Sequence, residues 1–433
     1  MHIAVIGTGY VGLVTGACFA DFGMRVTCVD KDQEKIRSIR SGKMPIYEPG
    51  LDALVSKNVR EGRLSFSTDV RETVEQSLVV FLAVGTPTSG DGSADMSQID
   101  EVALEIAKSL NGYKVIVTKS TVPVGAAARI KKIIKENKTT SDRFSVAANP
   151  EFLREGAAID DFRRPDRVVI GCTDDEAVAI LKDIYRPLYL IETPFVITTP
   201  ESAEMIKYAS NAFLATKVSF INEISRLCEL LGADVHDVAK GMGMDGRIGS
   251  KFLHPGPGFG GSCFPKDAKA LVALGRSVDY HVRIVESALR VNEDQKTSII
   301  ERIRRLVPQL AEKTIAILGL AFKPETDDMR EAPSIKIIED LLEAGARIRA
   351  YDPAAMGSAR RLLREVEYCE DEYEAARESD GLVVVTEWNQ FRRLDMDRLK
   401  QLMREPNIID LRNLYEPEAM RSAGFNYLAM GRN

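Results

Sequence analysis

Short apolar runs alternate with amphipathic stretches through the first two hundred residues. His2–Ile6, Arg25–Val29, Leu78–Val84, Lys114–Thr118, Phe144–Ala147 and Arg167–Ile170 are rich in β-branched and other apolar residues, the composition of strands buried on both faces. Segments with one charged face separate most of them. The alternation predicts βαβ units feeding a parallel sheet.

The period changes near residue 200. Met205, Ile206, Ala209, Phe213, Leu214, Val218, Ile221, Ile224 and Leu227 keep helical spacing as far as Gly232. Thr198 and Thr199 are candidate caps, Pro200 suits a first turn, and Glu201 suits the positive end of the helix dipole. A helix of about 30 residues is roughly 45 Å long. That is long for one domain, so the expected roles are a bridge between two domains and a surface for a second copy. A further helical stretch is expected over Ala268–Arg305.

The last third starts afresh. Ile315–Gly319 (IAILG) repeats Ile3–Gly7 (IAVIG) at an offset of 312 residues. A helix over Ser334–Glu343 leads to Gly345 and a strand at Arg347–Tyr351, closed by Asp352 much as Asp30 closes Arg25–Val29. Leu382–Thr386 and Asn407–Asp410 supply more strands. The expected fold is α/β: an N-terminal Rossmann domain, a long central helix with a helical region, and a C-terminal Rossmann-like domain. In the last, the glycine fingerprint has decayed to Gly-Leu-Ala-Phe-Lys-Pro. Boundaries are expected near residues 200 and 310, dividing the chain into 1–200, 201–309 and 310–433.

Composition narrows the function. Hydrophobic residues make up 45% and charged residues 28%, an ordinary globular balance. With 58 basic and 64 acidic side chains, a net charge of −6 and no block of like charge, the chain lacks the basic stripe of a nucleic-acid binder. The six cysteines are scattered without a CxxC pair, which argues against zinc and against a disulfide framework; most are expected to fill core space. The N-terminus enters a strand and a glycine motif without a cationic leader, and no apolar run approaches the roughly 18 residues needed to span a bilayer. A cytoplasmic protein with no metal, membrane or nucleic-acid partner is expected.

Gly7-Thr8-Gly9-Tyr10-Val11-Gly12 lies directly after a predicted strand and before a helix. In such a motif the first glycine permits the turn, the second admits a pyrophosphate to the backbone, and the third lets helix and strand close together. The phosphates then meet N–H groups at a helix N-terminus. Asp30 follows Gly12 by 18 residues at the end of the next strand, where an acid binds the adenosine ribose. A 2′-phosphate about 4 Å away would be repelled by on the order of 4 kcal/mol before screening, so NAD is the expected cofactor rather than NADP. Thr86 and Thr121 lie just past predicted strand ends, the edge where α/β sheets bind ligands.

The most informative loop is Phe252-Leu253-His254-Pro255-Gly256-Pro257-Gly258-Phe259-Gly260-Gly261-Ser262-Cys263, followed by a helix beginning near Pro265. A thiol at a helix N-terminus beside Lys266 is placed for a depressed pKa; an unperturbed one is only about 3% ionised at pH 7. A nicotinamide cofactor together with a nucleophilic cysteine implies a defined sequence. An alcohol is oxidised to an aldehyde, the thiolate captures it, a second oxidation yields a thioester, and water releases an acid. Lys207 and Asn211, four apart on the long helix, are candidates to hold an oxyanion, the alternative being two solvated surface residues. Asp267 could orient a water or merely start its helix. Glu151 and Glu155, also four apart, could serve as acid/base groups or as surface charges.

These residues together resemble the UDP-glucose 6-dehydrogenase family, within the UDP-glucose/GDP-mannose dehydrogenases. The matching motifs are GTGYVG at 7–12, YEPGL at 47–51, VGTP at 84–87, TKSTVPVG at 118–125 and NPEFLREG at 149–156. They continue with EMIKYASNAFLATKVSFINE at 204–223, DGRIGSKFLHPGPGFGGSCFPKD at 245–267 and GLAFKPETDDMRE at 319–331. The resemblance covers nearly the whole chain. It implies oxidation of UDP-glucose to UDP-glucuronate with two NAD, by a homodimer or higher oligomer. It also implies that Cys263 is the nucleophile, that Lys207, Asn211 and Asp267 handle oxyanion and water, and that Glu151 is the acid/base group in thioester hydrolysis. Thr121 and Glu155 would border the nicotinamide. Val11, Asp30, Lys35, Thr86, Lys266 and Arg330 would touch the cofactor, with Gly7, Gly9 and Gly12 in its turn. Substrate contacts would come from Glu151, Phe152, Leu153, Arg154, Glu155, Lys207, Asn211, Phe252, Leu253, His254, Pro255, Gly256, Gly260 and Lys323, the last standing where the lost fingerprint glycine would be. Arg247 would reach the substrate of a neighbouring subunit. The central region would carry dimerisation and the cysteine, and the last domain the UDP. Sister enzymes for UDP-N-acetylhexosamines carry GGHC in place of Gly260-Gly261-Ser262-Cys263, and GDP-mannose dehydrogenases differ just upstream of it; these are the alternative substrates.

Overall fold

The computed structural model describes residues 1–432 and divides into two compact units, Met1–Ser210 and Asn211 onward. The first unit holds eight strands: β1 His2–Ile6, β2 Arg25–Val29, β3 Leu64–Ser67, β4 Val79–Leu82, β5 Lys114–Thr118, β6 Phe144–Ala148, β7 Val168–Gly171 and β8 Phe195–Thr198. They form one sheet in the order β3-β2-β1-β4-β5-β6-β7-β8. Every pairing is parallel except β6 with β7, which meet antiparallel at Ala148 and Gly171. β1 is flanked by β2 and β4, so the strand order reverses direction there and leaves a crevice at the strand C-termini. Ile3, Ala4 and Val5 have no exposure, as a central parallel strand covered on both faces requires. On one face Phe19 packs against Phe81 with ring centroids 5.0 Å apart; on the other, Ile99, Ile106 and Ile130 cover Val80 and Leu82.

The strands β3 and β8 escape the sequence reading because both lie at sheet edges. Their burial alternates or is partial, so neither presents the continuous apolar run that marks the central strands. The long helix runs Pro200–Leu231, 32 residues. Thr199 Oγ1 accepts from Ser202 N at 3.2 Å and caps it; Thr198 lies in β8 instead.

The second unit contains β9 Thr314–Leu318, β10 Arg347–Tyr351, β11 Val366–Tyr368, β12 Gly381–Val384, β13 Asn407–Asp410 and β14 Asn426–Ala429. The order β11-β10-β9-β12-β13-β14, parallel throughout, permutes its strands as β3-β2-β1-β4-β5-β6 does. The expected second Rossmann-like domain is present. The single helical stretch expected over Ala268–Arg305 is two helices, Phe264–Ser277 and Arg283–Leu306. Between them the chain doubles back on Gly275, whose carbonyl accepts from Tyr280 N at 2.9 Å; a Cβ on Gly275 would lie 2.6 Å from Tyr280 O.

The two sheets share a starting geometry and then diverge. Gly7 N donates to Val29 O at 2.7 Å, and Gly319 N to Tyr351 O at 2.9 Å; both glycines have positive φ. After β1 a helix, Tyr10–Asp21, starts three residues beyond Gly7, whereas after β9 the next helix, Pro333–Glu343, starts fourteen beyond Gly319. Counted from Gly319, Pro324 occupies the place of Gly12, and Lys323 that of Val11 rather than of the lost glycine.

The acid has been internalised too. Asp352 is 1% exposed and accepts from Leu320 N at 2.7 Å, Ala321 N at 3.1 Å and Trp388 Nε1 at 3.2 Å, and from the amides of Ala354 and Ala355. Five donors use up the acceptor sites of a carboxylate, so nothing remains for a ribose. Asp352→Ala should therefore lower the melting temperature by roughly 5–10 °C, because several buried donors lose their partner, while NAD affinity stays at the wild-type level. Calorimetry and an NAD titration check this; an unchanged melting temperature contradicts it.

Candidate active site

The turn after β1 takes the form the fingerprint predicts. Gly7 has φ +102°, and a Cβ there would lie 2.6 Å from Ala83 O. A Cβ on Gly12 would come within 1.9 Å of Gly7 O, so no larger residue fits. Above Gly9 nothing lies within 4 Å, and no side chain caps the helix that it opens. This is the open, donor-lined cradle that a pyrophosphate needs. A cleft of about 260 Å³ beside it is lined by Gly7, Gly9, Asp30, Lys35, Gln98 and Glu101 among others.

Asp30 sits in that cleft, accepting from Thr8 N at 3.0 Å, Thr8 Oγ1 at 2.8 Å and Lys35 Nζ at 2.8 Å. Burial alone would raise its pKa, but the hydrogen bonds from Lys35 and Thr8 outweigh it and bring the carboxyl to about 2. It is ionised at neutral pH. Lys35 neutralises part of that charge, so the bare-charge repulsion of a 2′-phosphate is weaker than the sequence argument assumed. These residues fit NAD: Gly7–Gly12 for the pyrophosphate and Asp30 for the ribose.

The loops beyond β4 and β5 are stitched together. Thr86 Oγ1 donates to Thr121 O at 2.7 Å and Ser120 Oγ to Val84 O at 2.6 Å. From the long helix, Glu204 accepts from Gly125 N at 2.7 Å and Ala127 N at 2.8 Å, capping the helix that follows the Thr121 loop. Thr121, Pro150, Glu204 and Lys207 line one small cleft, so two candidate residues 86 positions apart are brought together.

Lys207 and Glu151 form a buried ion pair, Nζ to Oε1 at 2.8 Å, with side chains only 4% and 5% exposed. Neither is a solvated surface residue. Glu151 Oε2 also accepts from Leu153 N at 2.5 Å, and Lys207 lies 5.4 Å from the centre of the Phe152 ring. Phe152 in turn carries the guanidinium of Arg167 at 3.6 Å. Arg154 is turned to Asp161 at the surface. The segment owes its placement to Glu48, a buried carboxylate that the sequence reading did not single out. Glu48 accepts from Gly156 N at 2.6 Å, Ala158 N at 2.7 Å and the Tyr10 hydroxyl, binding the 149–156 loop to the fingerprint helix. The signals in the sequence are the YEPGL motif at 47–51 and a charged residue opening the Glu48–Leu51 turn, in which Leu51 N donates to Glu48 O at 3.1 Å.

In the second unit the cysteine loop is built as expected. Cys263 is the N-cap of Phe264–Ser277, and its carbonyl receives Asp267 N at 2.8 Å. The other five cysteines are buried, while Cys263 is partly exposed. Burial drives Cys18 and Cys28 up to about 12, so neither supplies a thiolate near neutral pH. Ser262 Oγ lies 3.4 Å from the Cys263 sulfur. Asp267 has no exposure and accepts from Asn211 Nδ2 and from Lys266 Nζ, both at 2.6 Å. Thus Lys207 and Asn211, one helical turn apart, each find a different carboxylate, and Lys266 is held by Asp267.

The loop itself hangs on amides that the sequence reading passed over. Asn222 Oδ1 accepts from Gly256 N at 2.8 Å, Gln295 Nε2 donates to Gly256 O at 2.8 Å, and Asn292 bonds both N and O of Phe259. A Cβ on Gly260 would strike Glu331 O at 2.3 Å, and one on Gly261 would strike the Phe322 ring at 2.7 Å. The Gly-Leu-Ala-Phe-Lys-Pro loop therefore packs directly on the cysteine loop, with Lys323 Nζ 5.8 Å from the Phe322 ring centre. Phe252 has φ +63°, a strained value for a bulky residue. Leu253 is buried, whereas His254 is exposed. Arg330 forks onto Asp328 and gives its carbonyl to Gly261 N at 2.8 Å. Arg247 forks onto Asp245 with its side chain 90% exposed.

Three family models match the chain: UDP-glucose/GDP-mannose dehydrogenase family, NAD binding domain, over residues 1–189; central domain over 201–294; and UDP binding domain over 316–417. A UDP-glucose 6-dehydrogenase of Rhizobium meliloti is 53% identical over 100% of both chains. Among solved structures, a UDP-glucose dehydrogenase from the archaeon Pyrobaculum islandicum is 38% identical with a TM-score of 0.92, covering 100% of this chain and 98% of that one. A UDP-D-ManNAc dehydrogenase from Pyrococcus horikoshii is 27% identical with a TM-score of 0.87, covering 100% and 99%.

The Glu151–Lys207 pair makes a stability prediction. Lys207→Met leaves a buried carboxylate without its cation, at a cost of about 3–5 kcal/mol, whereas Glu151→Gln with Lys207→Met together should recover at least half of that. Denaturant titrations of the two variants decide; equal destabilisation would mean that the pair is not a coupled unit.

Proposed function

The chain belongs to the UDP-glucose/GDP-mannose dehydrogenase family, NAD-dependent oxidoreductases, and from that premise we propose that it converts UDP-glucose to UDP-glucuronate through Cys263. One sugar nucleotide, one water and two NAD become one carboxylate, two NADH and three protons. When bound, NAD accepts the hydride that leaves C6 in each of the two oxidations. The thiolate of Cys263 adds to the C6 aldehyde, forming a C–S bond and a thiohemiacetal, so the half-oxidised sugar stays in the site. The second oxidation leaves a thioester. Lys207 and Asn211 stabilise the oxygen that becomes an oxyanion in these additions, a role worth about 3–4 kcal/mol for a well-placed donor. Glu151 takes the proton from the attacking water, the C–S bond breaks, and Cys263 recovers its thiolate. Asp267, fully buried and holding Asn211 and Lys266, keeps that amide and cation in place.

The observation that carries this reading is the setting of Cys263. It is partly exposed, whereas the other five cysteines are buried, and it caps a helix N-terminus beside Lys266, in a chain that also holds a complete dinucleotide turn. UDP-glucose is preferred among sugar nucleotides because the full-length relative at 53% identity is a UDP-glucose 6-dehydrogenase, and the Gly-Gly-Ser-Cys loop speaks against the UDP-N-acetylhexosamines. The UDP portion is assigned to the second Rossmann-like domain and to Lys323.

A cytoplasmic oligomer completes the reading. No helix among the described residues is long and apolar enough to cross a membrane. Phe213, Phe220 and Leu227 repeat every seven residues on the long helix and remain exposed, as do Leu230 and Leu231 at its end. A heptad stripe of this kind suits a second copy of the same helix, with Arg247 from that copy reaching the substrate.

Turnover of UDP-glucose should yield two NADH per acid formed, and Cys263→Ser should bind substrate yet stall with a covalent or aldehyde-level adduct detectable by mass spectrometry. A higher kcat/KM for GDP-mannose or UDP-N-acetylmannosamine would overturn the substrate, and wild-type turnover by Cys263→Ala would overturn the chemistry. The double change Phe213→Glu, Leu227→Glu should shift the sedimentation coefficient to that of a monomer; an unchanged coefficient rules out this helix as the interface.

A further inference from the structure

The reading above gives no task to Lys119, a cation buried at the edge of the first sheet. Thr118 and Ala148 are paired in register between β5 and β6, so Lys119 and Asn149 are the next residues of the two strands and meet at the C-terminal edge of the sheet. Lys119 is 5% exposed. Its Nζ donates to Asn149 Oδ1 at 3.0 Å and to Tyr185 Oη at 3.1 Å, and Tyr185 Oη donates to Asn149 Oδ1 at 2.6 Å. Asn149 Nδ2 donates to Val169 O at 2.7 Å. This closed set of four hydrogen bonds holds the start of Asn149-Pro150-Glu151, and thereby the carboxylate that pairs with Lys207.

The geometry is unusual in its charge. The hydrogen-bond partners of Lys119 are a neutral amide and a neutral hydroxyl, and the Tyr185 ring centre lies 5.7 Å from its Nζ. The charges that act on it are Glu151 and Lys207. Burial lowers its pKa to about 7, with Glu151 working upward and Lys207 downward. Two lysines therefore act on one carboxylate among buried side chains, and the group whose proton is loosely held is Lys119. A buried amine costs stability when charged and unpaired; its retention here calls for a purpose.

We propose that Lys119 is a positioning residue for Glu151: it fixes the 149–151 turn through Asn149, and its charge sets the basicity of the Glu151 carboxylate during hydrolysis of the Cys263 thioester. This rests on the function proposed above. While Lys119 is an ammonium it favours the ionised carboxylate, which is the form that accepts a proton from water. As Glu151 gains that proton, Lys119 releases its own to solvent more readily than before, because a negative neighbour has been lost. The charge of the pocket is thereby kept near constant through the step.

The test is the pH profile of kcat for UDP-glucose oxidation by the full chain, with a thermal melt of each variant. Below pH 7 the wild-type amine is charged. Lys119→Met removes that charge, so Glu151 should be harder to ionise and the acidic limb should move to higher pH by about one unit. Lys119→Arg keeps the charge and should leave the limb where the wild type has it. Should the methionine variant fail to fold, Tyr185→Phe removes one acceptor of the ammonium and should move the limb in the same direction by less. An acidic limb of folded Lys119→Met or Tyr185→Phe that coincides with the wild type overturns the proposal while leaving the dehydrogenase reading intact. A wild-type enzyme that makes no NADH from UDP-glucose at any pH removes both.

Discussion

A carboxylate withdrawn from water must be met by donors, and in this protein that obligation places the chemistry. Glu48, Glu151, Glu204, Asp267 and Asp352 are all buried, and each is answered by backbone amides, by a side-chain amide or by a cation. An unanswered charge of this kind costs several kcal/mol, a large share of what holds a domain together. The loops at the sheet edges therefore have little freedom. The loop carrying Glu151 is held at one end by Glu48 and at the other by Asn149, and the start of the cysteine helix is held by Asn211 and Lys266 on Asp267. Stability and positioning come from the same bonds.

The same rule explains how a repeated fold has come to do two jobs. In the first sheet the acid after β2 stays at the rim of a cleft, half-buried and held by Thr8 and Lys35. In the second, the acid after β10 turns inward and ties down its own loop. A short turn and a free helix start suit a pyrophosphate; a loop of fourteen residues suits packing against a neighbour. That neighbour is the glycine-rich cysteine loop, whose Gly260 and Gly261 leave no space for a Cβ.

Much of the architecture could be read along the chain because its causes are local. The central strands are continuous apolar runs, and β1, β2, β5, β10 and β13 fall at the residues expected. Gly7 needs a positive φ and Gly12 needs a missing side chain, and both demands are met within a few residues. Edge strands were hidden because their pattern depends on which face is covered, and the break at 278–282 because a turn folding back onto Gly275 has no Gly-Pro signature.

The sequence by itself determined the candidate residues: the glycine turn, the acid at 30, the cysteine in its loop and the polar pair on the long helix. Only the tertiary structure decided their partners. Lys207 meets Glu151 across 56 residues and Gly156 meets Glu48 across 108, while Lys119, unremarked in the chain, is brought against Asn149 by strand register. The reason is physical. Propensity and periodicity act over a turn or a strand, whereas the environment of a buried charge depends on which loops the closed sheet brings to one edge.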